Sequence, residues 1–171
     1  MHRIAILLVL IAVQTASSFA AQLDIAIIRF PEPKTVEQLN ADLAGQSLAE
    51  ITNADRTVTS VAGLKGGTVL YSASLPAGAP ATSTRLGNSR ADTEFALKNG
   101  SLAVQVTLSE GVAAGLRKFS SRTYQGTAPL PAGSPRVISL RTIASKTKSV
   151  TKDKSEVRDT TTTHALIAQL R

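Results

Sequence analysis

The stretch from Ala91 to Glu110 constrains the chain most. It reads ADTEFALK, then Asn99-Gly100, then SLAVQVTLSE. Asn and Gly both tolerate positive φ, which a two-residue hairpin turn of the right twist demands. Along the second arm Leu102, Val104, Val106 and Leu108 take every second position. Ala103, Gln105, Thr107 and Ser109 fill the places between. A period of two belongs to a strand with one dry face and one wet face. The expectation is an antiparallel hairpin whose dry face needs a second apolar layer to cover it. Asn99-Gly100-Ser101 also matches a glycosylation sequon, but the turn already explains it.

Other segments read as further strands. LDIAIIRF (23–30) is Ile-rich and stopped by Pro31 and Pro33, which donate nothing to a ladder. TVTSVAGL and TVLYSASL flank Gly66-Gly67 and predict two strands about a glycine turn. In the second of these, Val69, Tyr71 and Ala73 are expected on one face. PAGAPATST (76–84) is small and loop-like. Phe119–Gln125 and RVISLRTI (136–143) are two more strands, joined through PLPAGSP. One helix interrupts the pattern. Thr35 and Gln38 have the spacing of a capping box, in which each side chain bonds the other's backbone N–H. Val36, Leu39 and Leu43 fall on one helical face, Gly45 is a C-terminal stop, and the helix extends toward Ile51. The fold class expected is mainly β with one N-terminal helix (α+β), an antiparallel sheet or sandwich of hairpins.

Three segments are expected along the chain. Residues 1–20 read as a secretory signal peptide. Met1-His2-Arg3 is a basic start, IAILLVLIAV is ten uncharged apolar residues, and Ser18-Phe19-Ala20 has the small residues of a cleavage site. Ten apolar residues are too few for a membrane span, which needs about 20. The expected cut follows Ala20 or Ala21. Residues 21–144 form a β-rich globular domain. Residues 145–171 form a basic, polar segment ending in HALIAQLR, either a closing edge strand or a short helix.

Composition removes several function classes. There is no cysteine, so neither a disulfide nor a lipid-anchored lipoprotein is expected, and zinc ligation falls on too few residues. His164 is the single histidine beyond the signal, in a Thr-rich segment with no Ser–His–acid order, and reads as solvated. Asp92 and Glu94, at i and i+2, read as an exposed strand face rather than an acid–base or calcium pair. Gly63–Gly67 lacks the phosphate-loop pattern. No catalytic, cofactor-binding or metal residue is assigned, no cofactor is expected, and the protein is read as a non-enzyme.

Basic residues number 19 against 12 acidic ones. Arg141, Lys146, Lys148, Lys152, Lys154 and Arg158 concentrate the excess near the C-terminus. Lys146, Lys148, Lys152 and Lys154 share parity and would share one face of a single strand. Without aromatics for base stacking the stretch is not read as a nucleic-acid site. Its readings are a lysine-protected edge strand, a flexible tail, or contact with an anionic surface.

The order of parts resembles the C-terminal domain of secretins, the outer-membrane channels of bacterial secretion and pilus systems. The matching parts are LDIAIIRF, VEQLNADLAGQSL, the run from Ala49 to Ala77, ADTEFALKNGSLAVQVTLSEGV and PAGSPRVISL. They span most of residues 23–143. Asp55-Arg56 stands where the family usually has a proline, and the glycine pair expected after RVISL is absent. The resemblance implies a free-standing envelope domain and carries no pore formation. The expected function is an exported, structural or assembly role in the bacterial cell envelope, in the periplasm, at the outer membrane or outside the cell. Envelope proteins or further copies would meet its sheet edges, and no transmembrane helix would remain after signal cleavage. The alternative is a soluble periplasmic binding or inhibitor module of sandwich type, with Tyr71, Phe95, Phe119 and Tyr124 lining a pocket.

Overall fold

The computed structural model describes residues 21–51, 64, 66–78, 81–86, 89–110, 120–151 and 154–171. The expected signal (1–20), most of TVTSVAGL, and Phe119 lie outside them. Strands dominate: β1 (Gln22–Phe30), β2 (Thr68–Pro76), β3 (Ala81–Leu86), β4 (Ser89–Lys98), β5 (Ser101–Glu110), β6 (Ser120–Pro129), β7 (Arg136–Thr151) and β8 (Lys154–Leu170). Two helices, α1 (Val36–Leu43) and α2 (Leu48–Ile51), fall between β1 and β2. The strands form two antiparallel four-stranded sheets, β2-β1-β8-β7 and β3-β4-β5-β6.

The first sheet is covered on both faces. Leu23, Ile25, Ile27, Leu166 and Ala168 pack against Phe95, Leu102, Val104, Val106 and Tyr124 of the second sheet. The alternate residues Ala26, Ile28, Phe30, Ala165 and Ile167 pack against Leu39, Leu43, Leu48 and Ile51 of the helices. Two dry faces explain why LDIAIIRF reads as an unbroken apolar run. Burying each of its large side chains stabilises by about 1.5–3 kcal/mol relative to exposure. The second sheet is dry on one face only, and its strands alternate as the sequence predicts. Leu102, Val104 and Val106 are buried, and Asn99 (φ 51) and Gly100 (φ 73) make the turn.

The predicted capping box is present. Gln38 N donates to Thr35 Oγ1 at 3.2 Å, and Thr35 N donates to Gln38 Oε1 at 3.0 Å. Leu39 and Leu43 are buried, but Val36 stays exposed in the first turn. The helix does not run through to Ile51. It stops at Leu43, Gly45 takes φ +73, and α2 starts separately. Polar side chains tie this layer to the first sheet. Gln169 Oε1 accepts from Leu48 N at 2.7 Å, and Asn40 Oδ1 accepts from Val137 N at 2.9 Å.

Four expectations change. Val69 and Tyr71 do not share a face. The β1–β2 register slips between Ile27 and Ile28, so Ile27 pairs with Tyr71 and Ile28 with Val69. A bulge inserts one residue and breaks the period of two, sending Tyr71 toward the second sheet and Val69 toward the helices. The end of the loop-like PAGAPATST, Ala81 to Thr84, is not loop but part of the edge strand β3, paired with β4. HALIAQL is a strand, but an interior one, between β1 and β7. Arg136–Thr151 is one continuous strand across the change of composition at Ala144.

Candidate functional site

Two features set this molecule apart from a plain pair of sheets, and both come from β7 and β8. The first is an arm. β1 accompanies β8 only as far as Thr163, opposite Phe30. Beyond that rung β7 and β8 continue together for nine register pairs, from Ile143–Thr162 to Thr151–Lys154. No third strand among the described residues joins them. At about 3.3 Å per residue the ribbon extends roughly 30 Å.

The arm holds most of the basic residues singled out in the sequence, though not on one face. The chain reverses between Thr151 and Lys154. Lys146 and Lys148 pair with Asp159 and Val157, whereas Lys154 and Arg158 pair with Thr151 and Thr147. Register therefore places the first two positions on one side of the ribbon and the last two on the other, correcting the single-face expectation. Lys152 lies outside the described residues. Arg141 belongs to the body of the sheet, opposite His164.

The second feature surrounds that histidine. His164 is 2% exposed, against the expectation of a solvated side chain. In β8 it shares parity with Leu166 and Ala168, which face the second sheet. Tyr124, on the inward face of β6, meets it there. The Tyr124 hydroxyl lies 2.8 Å from His164 Nδ1, and the two rings stack with centroids 5.8 Å apart. Thr162 Oγ1 lies 3.4 Å from Nε2. Burial, then the charges of Arg122, Arg29 and Arg141, push His164 down to about 4 from its ordinary 6.5. The imidazole is thus neutral at pH 7.

Those arginines come from three strands. Arg29 and Arg141 are the rung partners of His164 on its two sides. Arg122 stands two residues before Tyr124 in β6, opposite Leu108 of β5. All three are exposed. A groove of about 380 Å³ opens between β6 and β7, lined in part by Tyr124, Ser139 and Arg141. The two strands pass so closely that a Cβ on Gly126 would lie 2.5 Å from the Ile138 carbonyl oxygen. Glycine is required at that crossing.

The remaining sequence candidates separate from this cluster. Asp92 and Glu94 lie on the outward face of β4, alternate to the buried Ala91, Thr93 and Phe95. Asp92 accepts from Arg90 Nε at 2.8 Å, and that bond holds its carboxyl below the usual range. His164 faces the other side of that sheet, so the carboxylates and the imidazole form no common site. The described aromatics share no common pocket: Phe95 lines a groove with Glu94 and Gln125, Tyr124 lines the one beside Arg141, and Phe119 lies outside the described residues. Tyr71, Phe95 and Tyr124 are buried in the core between the sheets, with the Tyr71 hydroxyl 2.8 Å from Thr93 Oγ1. Among the described residues no cluster of metal-ligating side chains occurs, and no helix is long and apolar enough to cross a membrane.

Of the cluster, the sequence singled out Arg141 for an anionic surface, Tyr124 for a pocket and His164 as a solvated side chain, but neither Arg29 nor Arg122. Arg29, Arg122, Tyr124 and His164 are scattered over the chain, and pairing alone unites them. One signal was legible. His164 sits at every-second-residue spacing from Leu166 and Ala168, the parity of a buried face. The chain matches no protein-family model and no curated protein.

Proposed function

We propose that this is an exported, non-enzymatic β-rich domain with a structural or assembly role in the bacterial cell envelope. In this reading residues 1–20 are the export signal. Their removal takes nothing from β1, which starts at Gln22. The body is a sandwich of two sheets with helices on one outer face, and its order of parts is like that of a secretin's C-terminal domain. The observation that carries the proposal is the β7–β8 arm, nine pairs long with no third strand among the described residues. A free two-stranded ribbon is marginally stable in water. Its unpaired N–H and C=O groups are satisfied best by a strand from another chain. Lysine positions along the arm, Lys146, Lys148 and Lys154, restrain indiscriminate pairing and favour an acidic partner or surface.

Crosslinking and light scattering on the protein purified from cells test this. The expected result is an assembly or a retained envelope protein. It should be lost when residues 146–159 are replaced by a two-residue turn, while the thermal unfolding of the body is unchanged. A strict monomer that retains no envelope partner would overturn the reading.

A further inference from the structure

The three arginines around His164 have no evident use in the fold. Core packing does not require them, since all three are exposed. Neither of the ion pairs Arg90–Asp92 and Arg171–Asp24 involves them. Yet the two sheets gather them. Arg29 and Arg141 flank His164 on one rung, two strand spacings or about 10 Å apart. Arg122 comes from the facing sheet, beside the tyrosine that bonds His164. Three like charges at one place raise the free energy of the empty protein and create a positive potential that an anion relieves.

The geometry points to a binding site for a phosphate-class oxyanion at the mouth between the sheets, held by Arg29, Arg122 and Arg141. The number and direction of the donors select the ligand class. Each guanidinium offers a planar fork that engages two oxygens. A carboxylate has only two coplanar oxygens and is saturated by one or two forks. A tetrahedral oxyanion offers three or four, spread in space, and suits forks arriving from three strands. The floor of the mouth helps. Tyr124 and His164 lie buried there, a dry interior beside which charge interactions are screened less than in water. A neutral His164 adds no fourth repelling charge. Exposure of the arginines leaves the mouth open to a free phosphate or to the phosphate of a lipid headgroup. This site is separate from the arm and does not rest on the assembly role.

The protein purified from cells is titrated with inorganic phosphate while the ring signals of His164 are followed by NMR. In parallel it is floated with vesicles of phosphatidylglycerol or of phosphatidylcholine. Expected is saturable phosphate binding that moves the His164 signals and weakens at least tenfold in Arg29→Ala, Arg122→Ala and Arg141→Ala. Arg122→Lys should lose part of the affinity, because the charge survives and the fork does not. The control Lys98→Ala, at an exposed lysine beside the Asn99-Gly100 turn, should bind both probes as the parent does. Circular dichroism verifies that each variant is folded. Binding confined to phosphatidylglycerol vesicles, with the same arginine dependence, supports the site and identifies a headgroup as its ligand. Two results overturn it: no binding of either probe, or binding that survives loss of the arginines. Recognition of an acidic peptide in place of both probes also overturns it.

Discussion

The two sheets are each built from four antiparallel strands, yet they are written in different codes. The first, β2-β1-β8-β7, is covered on both sides, and seven successive residues of β8, Thr163 to Gln169, are buried. The second, β3-β4-β5-β6, shows its outer face to water, and its buried and exposed residues alternate along β5. What differs is the number of layers each must satisfy. A strand between two layers has no solvent side on which to place polar residues, so the few it holds are bonded. His164 meets Tyr124, Gln169 meets Leu48 N, and Thr163 Oγ1 accepts from Lys34 N.

The comparison is broken most directly at the centre of the first sheet. Ile27→Ala opens a cavity between two packed layers and should destabilise by about 2–5 kcal/mol, read from the urea midpoint of the purified protein. Tyr124→Phe is the next largest. It removes the partner of buried His164 and should cost about 1–3 kcal/mol, the range for an unsatisfied buried polar group. The same histidine gives the first sheet a pH dependence. Unfolded, it takes up a proton near 6.5, whereas in the fold it does so only at about 4. Between those values the unfolded chain binds more protons, so stability falls as pH drops through that window and is unaffected by this group above it. Urea midpoints across the window should decline, and a His164→Asn variant should show a shallower decline. Thr35→Ala acts on the covering layer alone. Loss of the cap should cost about 1 kcal/mol, visible as a small shift in thermal midpoint. The least effect belongs to the wet face of the second sheet, where Gln105→Ala should stay within about 0.5 kcal/mol. A large loss there would mean that this face is covered too, and the contrast between the sheets would fail.

Much of this was readable in advance where local chemistry decides. The Asn99-Gly100 turn, the alternation of Leu102 to Val106 and the Thr35–Gln38 box each depend on residues a few places apart. Readings failed where a distant neighbour intervened. The slip between Ile27 and Ile28 divides Val69 from Tyr71, and β1 alone explains it. ATSTRL, small and polar, is a strand because β4 supplies its ladder. HALIAQL looked like an ending, but lies in the middle of a sheet because β1 and β7 both pair with it.

By itself the sequence determined the Asn99-Gly100 hairpin, the helix start and the β-rich class, because turn geometry, capping and side-chain period are short-range properties. Only the tertiary structure decided the order β2-β1-β8-β7, the arm that outruns it, and the gathering of Arg29, Arg122 and Arg141 about a buried His164. Those depend on which strands lie side by side, and that is fixed by burial shared between residues up to about the whole chain length apart.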